Sequence, residues 1–296
     1  MTMHPREADD RDVQSTRVPR RRTGGGPARL TFAAAKAVRI GVVATLSPGT
    51  PTVILAMAMR PLRSYLEEQT GSAGEVVQRG DAFDLARSLT TGRAVQVAIF
   101  HGHEFAWARA KQPTLEPVVV CVNPLRSVRA HLVAGPGFAG SLQGQAIALP
   151  RDAREHCRLY FQRRCVPPGT DPNVFYRRIA RPAESADALD DAATGRVQAA
   201  VVDAVALDRY QRAMPARARK LRALHQSEEF PPGVLAYDTA RLAADEAKRI
   251  RDALVGAKDH PRGRQSLQVL KLASFEAPGA DLAPALDAIA KAYPPQ

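Results

Sequence analysis

Residues 38–44, Val-Arg-Ile-Gly-Val-Val-Ala, form a run of β-branched and small side chains with no helical period, which predicts a buried strand. A loop of turn-forming residues, 45–51, comes next, and its Thr50-Pro51 pair predicts an N-cap followed by proline at the first helical position. The helix it opens should run towards Gln69, with Pro61 marking a kink or restart and Gly71 a stop. A strand at 75–78, a helix at 83–89 and a strand at 95–100 continue the alternation, and 115–122 reads as a further strand leading to a second lobe. From 129 the pattern starts again, with strands at 129–134, 145–149, 175–180 and 199–202 and helices at 153–164 and 183–193. Two amphipathic helices, 244–256 and 282–293, dominate the C-terminal part.

Strands alternating with helices predict mostly parallel sheets covered by helices. The restart predicts two of them. An internal match supports this: Thr91-Gly92-Arg93-Ala94-Val95-Gln96-Val97-Ala98 resembles Thr194-Gly195-Arg196-Val197-Gln198-Ala199-Ala200 with one residue inserted. In each copy a helix ends at a glycine turn, a buried strand follows, and that strand gives way to a polar residue, His101 or Asp203, before another helix. The expected fold is therefore α/β, two Rossmann-like lobes with a central ligand cleft, because open sheets of this kind bind ligands at their strand ends. The expected division is 1–37 as a disordered basic leader, 38–125 as the first part of lobe 1, 126–227 as lobe 2, and 228–296 as the mostly helical return to lobe 1.

Composition changes this picture little. An apolar share of 45% is ample for cores of ordinary size. The formal net charge of +12 is dispersed, and no basic stripe with interleaved aromatics is present, so nucleic acid is not an expected partner. No run approaches the ~20 apolar residues of a membrane-spanning helix. Three cysteines, Cys121, Cys157 and Cys165, are an odd count and a poor disulfide framework. Arg20, Arg21 and Arg22 look like the charged start of a signal peptide, yet Gly24-Gly25-Gly26-Pro27 stands where the apolar stretch would be.

Several segments together resemble the phosphate, phosphite and phosphonate substrate-binding proteins of ABC transporters, which have the type II periplasmic-binding-protein fold. They are Arg39-Ile40-Gly41-Val42, Pro61-Leu62-Arg63-Ser64-Tyr65-Leu66-Glu67, the stretch from Leu89 to Phe100, Glu116-Pro117-Val118-Val119, Ser141-Leu142-Gln143-Gly144-Gln145, and Gln226 to Gly233 as the return crossing. The resemblance spans about residues 38–275. It implies a receptor that captures a small anion between its lobes by hinge closure, a permease as partner, a periplasmic address and a monomer. In this family an oxyanion sits at a helix N-terminus, held by a Ser-Thr-Ser-Gly cluster. The matching segment here, Ala148 to Cys157, has Pro150-Arg151-Asp152-Ala153-Arg154 instead. With no signal peptide or lipobox visible, a cytoplasmic address stays open.

Candidate ligand-binding residues follow from both lines. Arg151 and Arg154 could replace the missing hydroxyls, since a guanidinium grips phosphate or carboxylate in a fork, with Asp152 between them; the alternative is a solvated helix face. Phe100 could stack on a ligand or offer a hydrophobic wall. His101 and His103 share a strand's period of two and could both reach the cleft, gaining charge by partial protonation. Asp203 could accept a hydrogen bond from the ligand or could cap the next helix. Thr45 and Ser47 follow the first strand and could donate hydroxyls.

No catalytic residue, cofactor or resident metal is expected. The chain has no Gly-x-Ser-x-Gly elbow and no phosphate loop, and Cys157 beside His156 on a helix would point a different way. A metal held by His101, His103, Glu104, His156 or Cys157 lacks a recognisable ligand spacing. Two other functions fit the same fold: a cytosolic ligand-sensing module, and an enzyme of cofactor biosynthesis using His101 or Cys157.

Overall fold

The computed structural model describes residues 38–46, 50–71, 74–92, 95–138 and 140–295. The leader at 1–37, Ser47 and the Arg93-Ala94 part of the repeat lie outside the described residues.

In chain order the first elements are β1 (Val38–Val43), α1 (Thr52–Ala58), α2 (Arg60–Thr70), β2 (Gly74–Arg79), α3 (Ala82–Thr91), β3 (Val97–Phe100), α4 (Gly102–Lys111) and β4 (Leu115–Val122). Then come β5 (Ala130–Ala134), β6 (Ala146–Ala148), α5 (Glu155–Arg164), α6 (Pro172–Phe175), β7 (Arg178–Ala180), α7 (Ser185–Ala193), β8 (Ala199–Asp203), α8 (Ala204–Ala213), α9 (Pro215–Ala218) and β9 (Arg222–Gln226). The chain finishes with β10 (Gly233–Asp238), α10 (Ala244–Val255), α11 (Pro261–Leu270), β11 (Ser274–Glu276) and α12 (Leu282–Ala292).

Two sheets result. One has the order β11-β4-β10-β3-β1-β2, the other β7-β6-β8-β5-β9. In the first, β1 runs parallel to β2 and β3, while β10 lies antiparallel between β3 and β4. In the second, β6 is parallel to β7 and β8, and β5 is antiparallel to β8 and β9. Each sheet is sandwiched by helices and has apolar clusters on both faces, as strands with near-continuous hydrophobic sequence require.

The chain crosses between the sheets after β4 and again after β9, and the two crossings are bonded to each other. Ser227 N donates to Ala130 O at 2.9 Å, Phe230 N to Val128 O at 2.9 Å, and Ala130 N to Ser227 Oγ at 3.0 Å. A further tie comes from the C-terminal end: Arg164 on α5 donates to Glu228 at 3.0 Å and to Ala292 O at 3.2 Å, with its guanidinium 5.0 Å above the Tyr293 ring.

Candidate functional site

The strand directions bring one edge of each sheet to the same place. The ends of β1, β3 and β4 and the starts of β10 and β11 share an edge of the first sheet; the ends of β6 and β8 and the start of β5 share an edge of the second. Residues of both edges line one cavity of about 590 Å³, within the range of ligand pockets. Thr45, Phe100, His101, His103, Arg151, Asp152, Arg154 and Asp203 all line it.

On the first-lobe side, β3 passes directly into α4. His101 is the N-cap of that helix, with extended backbone (φ −64°, ψ 151°), and His103 lies in its first turn. The two histidines therefore do not share a strand period; the helix start brings them together, with rings stacked 5.5 Å apart. Glu104, three residues after the cap, reaches back to the His101 N–H at 3.4 Å, the reciprocal contact of a capping box. Thr45 donates its hydroxyl to the other Glu104 oxygen at 2.7 Å, so its proton goes to a neighbour in the protein rather than to a ligand. Burial raises the Glu104 carboxyl to about 7 against these stabilising bonds. Phe100 is wholly buried, packs against Phe105 with ring centres 6.0 Å apart, and forms floor rather than a stacking platform.

The second-lobe side is built from the turn before α5. That helix begins at Glu155, two residues later than the sequence pattern indicates, so Arg151 and Arg154 do not lie on its solvated face. Arg154 is its N-cap, and Arg151 is fixed by its N–H to Pro182 O at 2.9 Å. The Arg151 side chain has no partner among the described residues. Arg154 Nε stands 3.9 Å from Asp203 Oδ2, a loose pair. Asp203 also caps α8, accepting from Ala206 N at 3.0 Å, which is one of the two roles open to it in the sequence. Asp152 is turned to Ser185, whose hydroxyl it accepts at 3.1 Å. The N-terminus of α5 thus opens on the cavity with two guanidinium groups beside it, and the helix dipole favours negative charge there.

Between the two sides sits an aromatic floor. His103 packs edge-on to Trp107 (5.1 Å) and Phe230 (5.5 Å), and His156 from α5 lies against the same Phe230 at 5.5 Å. Nε2 of His101, His103 and His156 has no hydrogen-bond partner among the described residues. Burial, then neighbouring positive charge, pulls His156 down to about 3 and His103 well below its ordinary value. Burial chiefly, opposed by the Thr45 carbonyl, takes His101 to about 4. The expectation of partial protonation is therefore corrected: desolvation keeps all three rings neutral near pH 7. Among the described residues no group of three or more His, Cys, Asp or Glu side chains is placed to hold a metal ion. Burial pushes the Cys121 and Cys165 thiols up to about 12 and Cys157 well above its ordinary value, so none is a poised nucleophile.

Lining residues that the sequence did not single out include Asn123, Ser127 and Arg129 on the first crossing, Phe230 on the second, and Val269, Leu270, Leu272 and Phe275 around α11 and β11. The crossings carried a signal, since Gln226 to Gly233 reads as a return segment. The α11 residues carried none; packing of α11 on α2 and the pairing of β11 with β4 bring them to the cavity.

Two lobes with facing strand ends, joined by paired crossings around a cleft, define the type II periplasmic-binding-protein fold. The sequence profile of the ABC transporter, phosphonate, periplasmic substrate-binding proteins matches residues 44–282, and the chain belongs to that family. Solved structures agree on the fold. A binding protein component of an ABC phosphonate transporter from Pseudomonas aeruginosa is 15% identical with a TM-score of 0.58, covering 86% of this chain and 85% of that one. PhnD1 from Prochlorococcus marinus in complex with methylphosphonate is 11% identical at TM-score 0.59, over 86% and 97%. A Xanthomonas citri protein bound to ATP is 14% identical at TM-score 0.61, over 86% and 96%. No curated protein matches the sequence.

Proposed function

We propose that this chain is a receptor that captures a phosphonate-like anion in the cleft between its lobes and delivers it to an ABC permease, without covalent chemistry. The observation that carries this is the start of α5: two guanidinium groups, Arg151 without a partner among the described residues and Arg154 held only loosely, flank a helix N-terminus that faces the cavity. They supply charged donors where the family's hydroxyl cluster is missing, and a guanidinium binds a tetrahedral oxyanion in two directions at once. Neutral His101, His103 and His156 leave those arginines as the cationic centre of the site. The bodies that close are 38–125 with 228–296, and 126–227, moving about the paired crossings. Membership of the family supports a periplasmic address, and the receptor is proposed to act as a monomer. The protonated, buried thiols speak against a nucleophilic enzyme on this fold.

Thermal denaturation with methylphosphonate, phosphate, sulfate and acetate tests the proposal. A ligand at a hundred times its Kd adds about 2.7 kcal/mol, so at least one tetrahedral anion raises Tm, and Arg154→Ala removes most of the shift. A wild-type Tm indifferent to every anion, or a shift that survives in Arg154→Ala and Arg151→Ala, contradicts it.

A further inference from the structure

The two walls of the cavity differ in kind. Among the described lining residues, Arg129, Arg151, Asp152, Arg154 and Asp203 come from the second lobe, and Lys271 is the one charged contribution of the first. Beside the uncharged polar Thr45, Thr50, His101, His103 and Asn123, the first lobe offers an apolar stretch of wall: Leu46, Leu55, Met59, Ile99, Leu272 and Phe275. That wall follows the strand ends of β1, β3, β10, β4 and β11, and five neighbouring strands at about 4.8 Å span roughly 19 Å. A bare phosphonate group needs a fraction of this length.

Elements that form this apolar stretch also carry apolar side chains open to solvent. Val269 lines it and is 43% exposed. The helix that carries Leu55 leaves Val53 and Met57 exposed at 70% and 66%. On the opposite wall the cationic capacity is small. Arg129 is engaged by Glu229 at 3.0 Å, leaving Arg151 and Arg154 for a compact anionic head.

We infer that the ligand is amphipathic: a phosphonate head on an aliphatic or aromatic body of several carbons. The head faces Arg151 and Arg154, and the body lies along Leu55, Met59, Ile99 and Leu272. This rests on the proposed anion receptor and narrows it, because a site for methylphosphonate alone has no use for an apolar wall of this extent.

Calorimetric titration with methyl-, butyl- and phenylphosphonate, and with butanol as the headless control, tests the inference. Each buried methylene adds about fourfold in affinity, so butyl- and phenylphosphonate bind at least tenfold more tightly than methylphosphonate, and butanol does not compete. Ile99→Ser narrows the butyl-to-methyl ratio. Should that variant fail to fold, Val269→Ser, at an exposed position, narrows it too. Equal affinities along the series, or butanol binding as well as butylphosphonate, overturns the amphipathic ligand and leaves the anion receptor standing if methylphosphonate binds. No binding of any phosphonate overturns the receptor and this inference together.

Discussion

Glu104 sits beneath the cavity with Thr45 on one oxygen and the His101 N–H on the other, and it is 3% exposed. Its carboxyl ionises near 4.5 in the unfolded chain and near 7 in the fold. Between those values the folded state keeps a proton that the unfolded state has released. Stability therefore falls as pH rises through the window, by up to about 1.4 kcal/mol per pH unit. The buried histidines act in the opposite direction. Their folded values lie below 6.5, so the stability they permit is complete above pH 6.5 and is lost as pH falls towards 4 for His101 and 3 for His156. Glu104→Gln keeps an acceptor for Thr45 and removes the ionisation. Its Tm advantage over wild type should be larger at pH 8 than at pH 5, as read by thermal denaturation; a difference independent of pH would contradict the assignment. The positions of these groups were legible in the sequence, but their protonation was not. His103 and His156 are buried against Phe230, which the chain supplies far downstream.

At the scale of elements, glycines set two helix-end turns and one close approach beside the site. Gly92 closes α3 with φ +64°, and Gly195 adopts φ +76° after α7, so the repeated turn seen in the sequence has one physical cause in both lobes. Gly102, the first residue of α4, is needed for closeness instead. A Cβ there would stand 2.3 Å from Pro231 O and 2.6 Å from Pro232 O, on the crossing that carries Phe230. Gly102→Ala should destabilise the protein by about 1–3 kcal/mol and weaken methylphosphonate binding, because either the helix start or the crossing must shift. An unchanged Tm in scanning calorimetry would show that the contact gives way freely. Other elements were legible only in part. Thr50 and Pro51 mark the entry to a helix, but Pro51 itself takes the cap position and no side chain bonds there. The expected long helix divides at Met59, since Pro61 lacks the N–H that would continue the ladder. The strand assigned to 175–180 begins with a one-turn helix, Pro172–Phe175, whose cap is Asp171 accepting from Asn173 N at 2.8 Å.

Across the whole molecule, two sheets and a cleft were legible because each lobe repeats the same alternation of strands and helices. The composition of the first sheet was less so. Residues 115–122 read as a strand leading to the second lobe, and β4 is that strand, but its partners in the first sheet, β10 on one side and β11 on the other, were not legible. Both partners come from beyond residue 230, and no local pattern reveals such pairing. The same long-range closure explains why the apolar wall escaped a reading along the chain. On the proposed function, the bonded crossings and the tie of Arg164 to Glu228 and Ala292 would hold one side of the lobes together while the cavity side closes. Small-angle X-ray scattering, with and without saturating phenylphosphonate, reads that closure most directly. A smaller radius of gyration with ligand, absent in Arg154→Ala, is the predicted result; an identical scattering profile from wild-type protein shown by calorimetry to be saturated would contradict capture by closure between the lobes.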